Sequence, residues 1–147
     1  MAKGNDVNQL VDSVGDWFEK LPPLPKKWNE VIVKIVPWIS LIFGALGVLT
    51  ALAAFGILTV LAPFVAVGSG AGAASSGIIG SLLFLISSAL MLLAFPGTRA
   101  RKKHGWNLLF YSEVVSLVSS VIAFSFGGVI GNLIAFYILF QIRSHYK

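Results

Sequence analysis

The sequence predicts an all-α integral membrane protein, with four transmembrane helices paired as two hairpins and an amphipathic helix at the N-terminus. Three observations predict it. Hydrophobic residues make up 56% of the 147 positions and charged residues 12%, at a mean hydropathy of +0.86, so a core of this composition lacks the polar surface to be wrapped in water. The 11 Lys and Arg sit at the ends of apolar runs rather than along one exposed face. The runs themselves are about as long as a bilayer's hydrocarbon layer is thick.

Residues 1–25 form the first unit. Val7, Leu10, Val11, Val14, Phe18 and Leu21 recur at steps of three and four, which places them on one helical face, with Asp6, Asp12, Asp16 and Glu19 mostly elsewhere. The polar face is acidic, unlike the basic face of a typical headgroup-binding helix. Three destinations stay open for the apolar face: the headgroup region, a partner, or the protein's own cytoplasmic end. The acids also occupy the region where a signal peptide needs a basic start and an apolar core, so insertion through the chain's own spans is expected. "LPPLPKK" then breaks the helix, because each Pro fixes φ and removes a donor.

Residues 26–147 form the transmembrane unit. A helical pattern at Trp28, Val31, Ile32 and Ile35 leads through Pro37 into a first span over 38–61, about 36 Å of helix against a hydrocarbon core of about 30 Å. Pro63 is expected to end it, and the uncharged tract "VGSGAGAASSG" reads as a flexible loop. A second span covers 77–95, stopped by Pro96 and Gly97. The basic cluster Arg99, Arg101, Lys102 and Lys103 follows, then a third span over 106–125 opened by Trp106. A tight turn at Phe126, Gly127 and Gly128 leads into a fourth span over 127–142, about 24 Å long, short enough to need a thinned bilayer or residues borrowed from the turn.

Charge tests that count of four. Five basic residues lie in 1–36, four in the loop after the second span and two after the fourth. Four spans put all three groups on one side, and the positive-inside bias makes that side cytoplasmic, with both termini there, in a plasma or inner membrane. Topology accounts for the basic loop. Contact of Arg99, Arg101, Lys102 and Lys103 with anionic lipid is compatible with it.

Glu113 is the one acidic residue beyond position 30, about 10 Å along a helix from Trp106. An ionisable group at such depth is a functional candidate by default. Ser116 and Ser120 lie at helical spacing from it, and Asn132, Gln141 and Thr50 are conceivable polar neighbours on other spans. One reading makes Glu113 the titrating group of a proton- or cation-binding site. The other makes it structural, hydrogen-bonded between helices or paired with Lys102, Lys103 or Arg143. Small residues suited to close helix packing recur at Gly44, Gly47 and Ala51 and at Gly127, Gly131 and Ala135. Two Gly positions and a following Leu and Ala shared by "GALGVLTAL" and "GVIGNLIAF" hint at inverted halves.

No catalytic constellation, metal-ligand spacing or cofactor motif is present. There is no Cys, His104 and His145 lie at basic ends without a neighbouring acid, and the glycine tract has no following Lys of a phosphate loop. No motif is specific enough to assign a family. The expected function is therefore non-enzymatic: an interaction or assembly subunit of a membrane complex. Its expected partners are the lipid bilayer and other membrane subunits or a second copy of the chain, not nucleic acid. The alternative is a small oligomeric channel or a proton- or cation-coupled transporter using Glu113.

Overall fold

A computed structural model describes residues 2–69 and 71–147, with side chains for 8–68 and 77–147. It comprises five helices, α1 (Ala2–Glu19), α2 (Lys26–Ser69), α3 (Ala71–Arg99), α4 (Lys103–Ile122) and α5 (Phe126–Ile142), closed by a 3₁₀ turn at Arg143–His145. No strand occurs among the described residues. Four stretches, Lys26–Gly68, Gly77–Arg99, Lys103–Ile122 and Phe126–His145, are long and apolar enough to cross a membrane.

The break expected at Pro63 does not form. α2 runs through both Pro37 and Pro63, joining the helical pattern at Trp28 to the first span and continuing to Ser69. Most of the tract expected to be a loop is helical at its two ends, in α2 and α3, while its side chains from Ser69 to Ser76 lie outside the described residues. A proline inside a helix leaves a carbonyl unbonded, which neighbouring helices and Ser or Thr side chains offset in apolar surroundings. The carbonyls so freed are those of Val33 and Thr59, four residues before each proline; the Ser40 hydroxyl donates to the Pro37 carbonyl at 2.8 Å and the Thr59 hydroxyl to the carbonyls of Phe55 and Gly56, back-bonds that do not reach the freed groups. Tight packing on α3 holds the helix between the two prolines. A Cβ on Gly44 would stand 2.7 Å from the Leu92 nitrogen, one on Gly47 would stand 2.3 Å from the Ser88 hydroxyl, and Ala51 is fully buried.

α3 likewise passes through Pro96 to Arg99. What ends it is a hydrogen-bond motif rather than a glycine: Lys102 N–H donates to the Gly97 carbonyl and Arg101 N–H to that of Thr98, with Arg101 at φ 52°. This is the Schellman arrangement with Arg where Gly is usual. α4 ends the same way. Ser125 N–H donates to Ser120, Phe124 N–H to Val121, and Phe124 holds φ 50°. The third span thus stops at Ile122, and Phe126 to Gly128, expected as a turn, already belong to α5. Ser125 caps α5 by accepting from Gly128 N–H.

Each of the four long apolar helices packs chiefly on its neighbours in sequence, and α5 returns to touch the start of α2. α3 and α4 cross where Gly97 meets Gly105: a Cβ on Gly105 would lie 2.2 Å from the Thr98 nitrogen. Deeper in that interface the Ser87 and Ser112 hydroxyls donate to each other's backbone carbonyls, at 3.0 and 2.9 Å. The buried core gathers at the end of the bundle that carries the basic loop. There Trp106 stacks on Phe110, Phe18 stacks on Phe140, and the Trp106 indole donates to the Leu139 carbonyl. The chain's last residue joins this end, with Lys147 N–H donating to Arg101 and Lys103 N–H to Lys147.

α1 does not bury the face its apolar spacing suggests. Val11, Gly15 and Phe18 dock on α5, while Leu10 and Trp17 are each 66% exposed. Val7 lies outside the residues with described side chains. The rotation follows from Gly15, which admits Phe140 and Arg143 to within 3.3 Å of where its Cβ would be, and from an Asp12–Arg143 ion pair at 2.6 Å. The proline linker is tied back to α5 as well: the Tyr137 hydroxyl donates to the Pro22 carbonyl and Leu24 N–H to Gln141 Oε1.

Candidate functional site

α2 begins against α5 and then leans onto α3, so α2, α4 and α5 leave a groove of about 360 Å³ between them. Its α2 wall is a helical stripe, Trp28, Val31, Ile32, Ile35 and Ile39, and its α5 wall is Ala135, Ile138 and Leu139. Leu109 and Glu113, one turn apart on α4, close the back. The spacing of the α2 stripe is the same apolar period that marks Trp28 to Ile35 as helical in the sequence.

Glu113 is half-buried in this wall and makes no hydrogen bond or ion pair among the described residues. Pairing with Lys102, Lys103 or Arg143 is therefore not what holds it. Lys103 opens α4, about 15 Å from Glu113 along the helix, and Arg143 is engaged by Asp12. Most of the polar side chains expected near it are engaged elsewhere. Ser112 bonds Ser87, and Ser120 accepts from the Asn132 amide, which also donates to the Gly128 carbonyl. Gln141 serves Leu24, and Thr50 is exposed. Ser116 makes no hydrogen bond among the described residues. Glu113, Ser116 and Ser120 thus form no joint polar cluster, and the carboxylate stands alone in an apolar groove.

The four basic loop residues diverge. The Arg99 guanidinium lies 5.9 Å from the Trp38 ring and 6.0 Å from that of Phe95, Arg101 occupies the Schellman position, and Lys102 is the N-cap residue of α4. Lys103 alone lines a cavity, shared with Arg143. Of the small-residue pairs, Gly44 and Gly47 face α3, whereas nothing lies within 4 Å of a Cβ built on Gly127 or Gly131. The GxxxG of α5 is not a packing seam within the monomer, because α5 turns Gly128 toward Ser120 instead. No group of three His, Asp or Glu gathers to hold a metal among the described residues.

No protein-family model, curated protein or solved structure matches this chain. The site therefore rests on its own geometry. Sequence spacing singled out Glu113 but missed Asp12 with Arg143, Ser87 with Ser112 and Trp106 with Leu139, since each pair is brought together only by the helix crossings.

Proposed function

We propose that the protein is a small polytopic membrane protein acting as a non-enzymatic interaction or assembly subunit of a membrane complex. Its four spans leave the N-terminus, the basic loop and the C-terminus in the cytoplasm of a plasma or inner membrane. The carrying observation is Glu113, an unpartnered carboxylate on the wall of an apolar groove open between α2, α4 and α5. A charged side chain at the centre of a span costs about 2.5–3.5 kcal/mol even on the most lenient scale, so an uncompensated one calls for a donor. The groove receives a transmembrane helix of another subunit, whose Lys, Arg or hydroxyl group meets Glu113. α1 acts as an interfacial element with two apolar stripes, one docked on α5 and one, Leu10, Val14 and Trp17, turned outward.

The orientation draws support from Asp12 with Arg143 and Lys147 with Arg101 and Lys103, which keep the N-terminal helix, the loop and the C-terminal residues at one end of the bundle. Reversing the charges of Arg101, Lys102 and Lys103 together should disturb topology in a reporter-fusion assay. Unchanged topology would contradict the assignment.

The deciding experiment is gentle affinity purification of tagged wild-type protein and of Glu113→Gln and Glu113→Leu variants, with mass spectrometry of co-purifying subunits. Stoichiometric foreign membrane subunits, retained in Glu113→Gln and lost in Glu113→Leu, are expected. Because the chain has no Cys, a single cysteine at Ile35 would map the partner helix by crosslinking. A homogeneous homo-oligomer without partners would overturn the assembly reading. The same unpartnered carboxylate favours a second reading, an oligomeric channel or proton- or cation-coupled transporter, which Glu113-dependent flux in reconstituted vesicles tests.

A further inference from the structure

A second cavity, of about 460 Å³, opens at the basic end of the bundle and shares no residue with the Glu113 groove. That volume falls within the range of small-molecule sites. Its walls come from widely separated parts of the chain. α4 contributes Lys103 and Trp106, the end of α5 contributes Gln141, Arg143 follows it, Glu19 comes from α1, and Tyr146 comes from the C-terminal segment.

The wall carries two cations, several neutral donors and one acid. Lys103 forms no ion pair among the described residues. Arg143 gives one nitrogen to Asp12 while its guanidinium lies 5.3 Å from the Trp106 ring, which leaves further donors of its five N–H groups unused. Gln141 accepts from Leu24 through its oxygen, so its amide N–H groups are free to donate. The Tyr146 hydroxyl is buried without a hydrogen-bond partner. Burial pushes its pKa up to about 12, against the opposing pull of Arg101, so it is a donor at any ordinary pH. Glu19 is the single acid on the wall.

We propose that this cavity binds a phosphate ester that also carries a primary ammonium group, the headgroup of an aminophospholipid. The phosphate lies against Lys103 and Arg143 and the ammonium against Glu19. The two cations and the neutral donors recognise the phosphate oxygens through charge-assisted hydrogen bonds. The single carboxylate, Glu19, distinguishes this headgroup from a purely anionic one. Phe18 also borders a shallow apolar hollow that runs along Trp17, Leu21, Ile130, Leu133 and Ile134, a path for an acyl chain down the outside of α5. The proposal rests on membrane placement but not on the groove, so Glu113→Gln should leave it untouched.

The test uses the full-length protein in detergent and native mass spectrometry with phosphatidylethanolamine, phosphatidylglycerol and soluble phosphoethanolamine. Wild type should retain phosphatidylethanolamine over phosphatidylglycerol. Lys103→Gln should weaken retention by about tenfold or more, the loss of one charge-assisted bond, and Lys103→Arg should restore it. Glu19→Gln should erase the preference between the two lipids while leaving phosphatidylglycerol binding intact. Soluble phosphoethanolamine binding as tightly as the lipid would keep the headgroup chemistry and assign a soluble source. Equal retention by wild type and Lys103→Gln, or no preference between the two lipids in the wild type, would overturn the proposal.

Discussion

The Arg143 guanidinium donates to the Asp12 carboxylate at 2.6 Å, across 131 residues of chain. The pair ties α1 to the end of α5, yet both partners are partly exposed, with 61% of the Asp12 side chain open to solvent. Exposed pairs contribute little, about 0–1 kcal/mol. The neighbouring aromatic contact is of a different order, because Phe18 is buried against Phe136 and Phe140.

Phe18→Ala should therefore release α1, with a cost of about 3–5 kcal/mol for truncating a buried aromatic, whereas Asp12→Asn should leave it docked. Hydrogen exchange over residues 8–24 checks this. Equal protection in Phe18→Ala and wild type would refute it.

The Gly97–Gly105 crossing tolerates no side chain. Gly105→Ala should lower thermal stability by about 1–3 kcal/mol through overpacking, since its Cβ would meet backbone rather than a movable side chain. Gly127→Ala, in open space, should lose nothing. Thermal unfolding of the two variants side by side gives the comparison.

Phe124 holds a left-handed backbone at φ 50° and is 86% exposed. Such a conformation costs a non-glycine residue about 1–2 kcal/mol, part of which glycine returns through its more flexible unfolded state. Phe124→Gly should raise stability by about 0.5–1 kcal/mol. A lowered midpoint in denaturant would count against a Schellman ending for α4.

Tyr146 carries the pH prediction. Its folded pKa of about 12 lies above the ordinary value of 10, so between those values the folded state holds a proton that the unfolded state has lost. Stability from this group is intact below pH 10 and falls as pH rises toward 12. Tyr146→Phe should remove that part of the alkaline loss. At neutral pH it should not destabilise, because the hydroxyl it deletes has no partner. Unfolding curves of both proteins from pH 8 to 12 measure both effects.

The four apolar helices are legible in the sequence because length and hydropathy need no knowledge of neighbours. Their ends are less so. Pro63 and Pro96 read as stops, but the helices pass through both, since a proline inside a long apolar helix is tolerated where neighbouring helices pack against it. The real stops, at Arg101 and Phe124, carry no glycine and leave no compositional trace. The rotation of α1 is hidden for a related reason. Leu10 and Val14 fit the apolar period as well as Val11 does, and the choice falls to Gly15, whose missing side chain matters only once Phe140 is beside it. Glu113 stands out in the sequence as a lone acid, but its groove depends on α2 parting from α5, which no local pattern encodes.

The two outer helices differ in height. The uncharged stretch of α2 from Trp38 to Gly68 rises about 46 Å, and the 17 residues of α5 about 26 Å. In a bilayer of about 30 Å, one flank of the molecule is too tall and the other too short, and each ångström of mismatch costs a fraction of a kcal/mol. In the proposed membrane placement, α2 would tilt or thicken the lipid beside it and α5 would thin it, giving the protein a lopsided collar. Such a slope in membrane thickness would itself act as a force, drawing tall neighbours to the first flank and short ones to the second before any side chain touches.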